Sequence, residues 1–167
     1  MKNKKTIYHF IIDKSGSMQG SETETIAGFN TNLKTVQDLE TEFKEQEYAV
    51  SLTFFNDQVF PVIKNAKPTS LNPLTTMSYI PSGSTALLDA IGKSIYDIKS
   101  VYGPEIEQDL ASVVLIIITD GEENSSREFT HPEIARLINR LKEKNWIFQY
   151  FQLNKGIVPP FSQKDMA

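Results

Sequence analysis

Two stretches of the chain, Thr6–Ile12 (TIYHFII) and Val113–Ile118 (VVLIII), are apolar at almost every position and rich in β-branched residues. A strand with one face in water alternates apolar and polar side chains; an unbroken apolar run fits a strand covered on both faces. These two segments therefore belong inside a sheet, with helices packed above and below it. That requirement selects a layered α/β architecture.

The remaining segments supply the layers. Ile26, Phe29, Leu33, Val36, Leu39 and Phe43 recur at three- and four-residue steps, which predicts an amphipathic helix over 22–45. Tyr48–Phe55 and Gln58–Ile63, parted by Asn56-Asp57, read as a β-hairpin. A Pro-, Ser- and Thr-rich connection over 65–83 leads to a helix that opens at Thr85, carries Leu88, Ile91, Ile95 and Ile98 inward, and ends at Gly103-Pro104. Thr130 with Glu133 forms a capping box for a helix over 132–144, and Trp146–Leu153 is the last strand. The expected fold is a three-layer α/β/α sandwich, Rossmann-like. Its sheet is mostly parallel, with one antiparallel edge hairpin, about five main strands and the order 3-2-1-4-5. Residues 1–153 form the domain and residues 154–167 a C-terminal tail that is loose or wraps the sheet.

Composition narrows the chemistry. The 167 residues contain no cysteine and only two histidines, which removes thiolate and histidine-rich metal sites. A net charge of −4 gives no broad basic surface for nucleic acid. No run approaches the roughly 20 apolar residues of a membrane helix, and the apolar stretch after Lys2–Lys5 is too short for a signal peptide. A cytoplasmic protein with neither nucleic-acid nor membrane partner is expected.

Both interior strands run into an aspartate followed by small polar residues: Asp13-Lys14-Ser15-Gly16-Ser17, and Thr119-Asp120-Gly121. Open α/β sheets bind ligands at the carboxyl ends of their strands, where the chain order reverses. Thr85, following Gly83-Ser84, can reach the same rim. Two carboxylates and three hydroxyls, with no nitrogen or sulfur, suit a hard cation: Mg²⁺ first, with Mn²⁺ or Ca²⁺ as alternatives. Taken singly, each motif has a bland reading: a capping turn for Ser15 and Ser17, an Asp-Gly turn for Asp120, an N-cap for Thr85. Asp89 faces either the rim or solvent. Glu122 and Glu123 read as a solvated acidic loop, Lys14 as an exposed loop residue, and His9 and His131 as structural.

Together the segments resemble a known family. Asp13–Ser17 matches the Asp-x-Ser-x-Ser signature of von Willebrand factor A domains, in the DKSGSM form common in bacterial members. GSTALLDA from Gly83 to Ala90 resembles the family's threonine segment, and ITDGE from Ile118 to Glu122 its second aspartate segment. The resemblance implies a metal-ion-dependent adhesion site built from Asp13, Ser15, Ser17, Thr85 and Asp120. It also implies a non-enzymatic module that captures an Asp or Glu of a protein partner through the metal. The alternative is a Mg²⁺-dependent hydrolase of haloacid-dehalogenase type, whose second acid would stand where this chain has Ser15. Family members usually continue past the strand matching Trp146–Leu153, so that edge is expected to be open and available for a homo-oligomer unless the tail covers it.

Overall fold

The computed structural model describes residues 4–120, 123–153 and 156–158, the last of these as backbone. Its central sheet has the order β3 (Val59–Ala66), β2 (Glu47–Phe55), β1 (Lys5–Asp13), β4 (Ala111–Thr119), β5 (Trp146–Gln152), β6 (Gly156–Val158). Strand β1 lies between β2 and β4, parallel to both, and β4 pairs in parallel with β5. Strand β3 returns antiparallel to β2 as the expected hairpin, with register irregularities around Leu52.

The two interior runs behave as their composition requires. On one face Phe10 and Ile12 of β1, with Val114, Ile116 and Ile118 of β4, pack against helix α1 (Glu22–Glu42) through Phe29, Leu33 and Val36. On the other, Ile7 and Ile11 with Val113, Leu115 and Ile117 pack against α2 (Leu87–Glu107) and α3 (His131–Leu141). The predicted inward residues of α2 all join that second core. This is the α/β/α sandwich, and burying so much β-branched surface is its main source of stability.

Several boundaries shift. Helix α1 stops at Glu42, leaving Phe43 as a non-helical C-cap with 40% of its surface exposed rather than in the apolar stripe. Pro104 lies inside α2 and does not end it. It forfeits one amide donor, but the chain gains the burial of Ile106 and a firm stop two residues beyond Glu107. There Asp109 takes a left-handed φ of 59°, its N–H reaches the Ile106 carbonyl at 3.1 Å, and the Leu110 N–H reaches the Glu105 carbonyl at 2.8 Å. That pair of bonds is a Schellman closure. Thr130 caps α3 as predicted, accepting the Glu133 N–H at 3.3 Å.

The tail does not leave the last edge bare. Residues Gly156–Val158 form a short β6, antiparallel to β5, pairing Gly156 with Gln152 and Val158 with Tyr150. The upper part of the expected open edge is therefore paired with the chain's own backbone. Among the described residues no helix is long and apolar enough to cross a membrane.

Candidate functional site

The rim at the carboxyl ends of β1 and β4 is organised around Asp13, the last residue of β1 and fully buried. Its Oδ1 accepts the Ser15 N–H at 2.8 Å and its Oδ2 the Thr119 hydroxyl at 2.7 Å. Its own carbonyl accepts the hydroxyl of Tyr79. The turn after β1 then presents Ser15 and Ser17, whose hydroxyls lie 3.1 Å apart, and Ser17 donates to the Asp120 carboxylate. Asp13, Ser15, Ser17 and Asp120 thus form one connected oxygen cluster. Burial pushes the Asp13 carboxyl above its ordinary range; the bonds from Ser15 and Thr119 oppose that, and the charge of Asp120 adds to it.

Thr85 is buried at the same rim, but it is not a helix cap: α2 begins at Leu87, behind Ala86. Its backbone is held on both sides. The Thr85 N–H donates to the Asn124 side chain at 2.8 Å, and its carbonyl accepts the N–H groups of Asn124 and Ser125 at 2.9 and 3.0 Å. The segment before it is tied to the serine turn, with the Gly16 N–H on the Gly83 carbonyl at 2.8 Å and the Ser82 N–H on the Lys14 carbonyl at 2.8 Å. Gly83 is needed there: its φ is +84°, and a Cβ would sit 2.5 Å from the Asp57 carboxylate. The Thr85 hydroxyl makes no hydrogen bond to the other four candidate residues, so its membership rests on these backbone ties.

Three expectations need correction. Asp89 faces neither the rim nor solvent. It is buried, and its carboxylate accepts three successive backbone N–H groups, those of Arg127, Glu128 and Phe129, at 2.9, 3.0 and 3.0 Å. Glu123 is not a free acidic loop residue: it accepts the Leu88 N–H at 3.3 Å and the Ser126 hydroxyl, capping α2 from outside the helix. Lys14 is half-buried, its ammonium 4.1 Å from the centre of the Phe60 ring. Glu122 lies outside the described residues.

Sequence reasoning missed the supporting residues Tyr79, Thr119 and Asn124. Asn124 stands near the Asp120 motif, but nothing in its local spacing reveals that its partner is Thr85, 39 residues away. The oxygen donors fit a hard divalent cation better than a softer metal, and a desolvated Asp13 beside Asp120 is an arrangement that a positive charge would stabilise.

A sequence model described as von Willebrand factor type A domain matches residues 9–154. No curated protein matches the chain. Solved structures of similar shape include the ArnB paralog VWA2 from Sulfolobus acidocaldarius, with TM-score 0.54 and 18% identity over 90% of this chain and 35% of that one. A manganese-loaded Plasmodium vivax TRAP protein gives TM-score 0.57 and 16% identity over 99% of this chain and 63% of that one. The N-terminal domains of the pilus tip protein Mfa5 from Porphyromonas gingivalis give TM-score 0.59 and 13% identity over 84% of this chain and 26% of that one. At such identities the likeness is one of fold, and the chain spans less than two thirds of each of these proteins.

Proposed function

Because the chain belongs to the von Willebrand factor type A domain family, we propose that it is a metal-dependent protein-binding module, with a complete metal-ion-dependent adhesion site at Asp13, Ser15, Ser17, Thr85 and Asp120. The observation that carries this reading is the connected cluster of Asp13, Ser15, Ser17 and Asp120 at the ends of β1 and β4. In the proposed site, Asp13 and Asp120 supply the negative charge and the hydroxyls of Ser15, Ser17 and Thr85 supply neutral oxygens. Mg²⁺ is the first choice, with Mn²⁺ and Ca²⁺ of matching chemistry; manganese occupies the related Plasmodium protein. The DKSGSM form of the turn supports a bacterial-type member.

The bound cation supplies an electrophilic position for an anionic oxygen, which makes an Asp or Glu of the partner the natural ligand. The chain's own residues prepare that position. Ser15, Thr119 and Tyr79 fix Asp13, while Asn124 and the Gly16–Gly83 bond hold the Thr85 segment against the serine turn. An enzymatic reading finds less support, since the position two residues after Asp13 is a serine that engages that aspartate rather than a second acid.

Metal titration followed by thermal melting tests the proposal. Ligand at 100 times its Kd stabilises the folded state by about 2.7 kcal/mol. A rise in Tm with Mg²⁺ or Mn²⁺, lost in Asp13→Ala, is expected; no rise with Mg²⁺, Mn²⁺ or Ca²⁺ sinks it. Capture of an immobilised Asp-containing peptide that EDTA reverses then separates a binder from a bare metal site.

A further inference from the structure

A second site lies on the opposite flank of β1 and does not depend on the metal reading. Beneath α2, between that helix and the β2–β3 hairpin, is a cavity of about 180 Å³ whose walls include His9, Thr53, Lys64 and Asp97. A single water needs only about 15 Å³ of such space, so the cavity is large enough for an organic molecule. It is also distant from the rim: His9 precedes Asp13 by four strand residues, roughly 13 Å at 3.3 Å per residue.

The floor of the cavity carries a histidine with one ring nitrogen unused. His9 is 6% exposed, and its Nε2 lies 3.0 Å from the Thr53 hydroxyl. Thr53 has no other hydrogen-bond partner among the described residues; it either donates to Nε2, which puts the ring proton on Nδ1, or accepts from Nε2–H, which leaves Nδ1 an acceptor. Nδ1 has no protein partner there either, yet it is not sealed off as the unpartnered Ser94 hydroxyl is. Burial holds the imidazole neutral, with its pKa lowered to about 4. A buried polar nitrogen without a partner costs free energy unless something in the cavity bonds to it.

The mouth of the cavity carries both signs of charge. Lys64 comes from β3 and Asp97 from α2, and neither is in an ion pair among the described residues. Ile98, Ile63 and Val101 supply apolar wall between floor and mouth. A ligand matching this set has a polar group that bonds the open His9 nitrogen, a carboxylate favoured by Lys64 and an ammonium favoured by Asp97.

We propose that the cavity floored by His9 and flanked by Lys64 and Asp97 is a binding pocket for a small zwitterionic amino-carboxylate.

Imidazole ¹⁵N spectra of the full chain, titrated with glycine, 4-aminobutyrate and 5-aminovalerate, read the site directly. Butyrate and butylamine serve as single-charge controls. The expected result is a saturable shift of His9 Nδ1 with an aminocarboxylate, at lower concentration than with either control. Lys64→Ala and Asp97→Ala alter exposed positions that leave the core intact, and each is expected to weaken binding about two- to fivefold, the range of exposed ion pairs. His9→Phe, which fills the floor, is expected to abolish it. Equal binding of butyrate or butylamine, insensitivity to both charge removals, or no shift at His9 overturns the proposal.

Discussion

Asp89 and Asp13 are both buried carboxylates, but the fold treats them in opposite ways. Asp89, in the first turn of α2, receives three backbone N–H groups from one short loop and is spent entirely on holding that loop. Asp13 receives one backbone N–H and one hydroxyl, and sits beside a second carboxylate whose charge works against its own ionisation. A carboxylate offers about four lone-pair sites. The first aspartate is a structural clamp; the second keeps capacity for something positive. His9 resembles the second, a buried polar group with one nitrogen used and one open.

The contrast breaks first if Asp89 proves dispensable. Asp89→Ala strands three amide donors and removes three charge-assisted hydrogen bonds, and is expected to cost on the order of 3–5 kcal/mol by chemical denaturation, with or without metal. A loss below about 1 kcal/mol would mean the loop holds itself and the clamp is incidental.

His9 gives the next largest effect, through pH. The unfolded imidazole protonates near 6.5 and the folded one only near 4. Between those values the unfolded state binds more protons, so stability is complete above about pH 6.5 and is lost as pH falls towards 4. The loss reaches about 3 kcal/mol. Urea midpoints of the wild type and His9→Leu across this window should diverge, the variant lacking that part of the acid sensitivity. Parallel curves would show that His9 accepts a proton in the folded state.

How much of this was legible in the sequence follows from the range of each interaction. The unbroken runs TIYHFII and VVLIII reported double-sided burial because every residue in them carries the signal. The Asp13, Ser15 and Ser17 turn was legible for the same local reason. Asp89, Glu123 and Tyr79 were not, because their roles depend on partners 35 to 66 residues away, as in Glu123 with Leu88 and Tyr79 with Asp13. Pro104 misled through a true local cost that long-range burial of Ile106 outweighs.

For Asp13 itself, Asn is the informative replacement, since it keeps the size and one acceptor oxygen for the Ser15 N–H, removes the charge, and turns the other oxygen into an NH₂ donor that the Thr119 hydroxyl can rotate to accept. Burial already disfavours that charge, so Asp13→Asn without metal is expected to change stability by less than about 1 kcal/mol. With metal present, it should forfeit the stabilisation of about 2.7 kcal/mol available at 100 times Kd. The pattern is the reverse of Asp89→Ala, which damages the apo protein directly. Equal losses in both conditions would place Asp13 beside Asp89 as a purely structural group.

The smallest effect sharpens the contrast most. Thr119 is fully buried and its hydroxyl supplies one of the two side-chain-directed bonds that Asp13 receives. Val has nearly the same shape, so Thr119→Val removes that donor while leaving little cavity. Losing one bond to a buried carboxylate costs about 1–2 kcal/mol if Asp13 is ionised, and less if the carboxyl is protonated and can turn its own proton elsewhere. Followed from pH 7 down through the acid range, the loss should shrink as pH falls, because burial raises the Asp13 carboxyl and it protonates earlier than an exposed one. A pH-independent loss would mean that Asp13 stays charged throughout, held by its remaining donors as firmly as Asp89 is by its three.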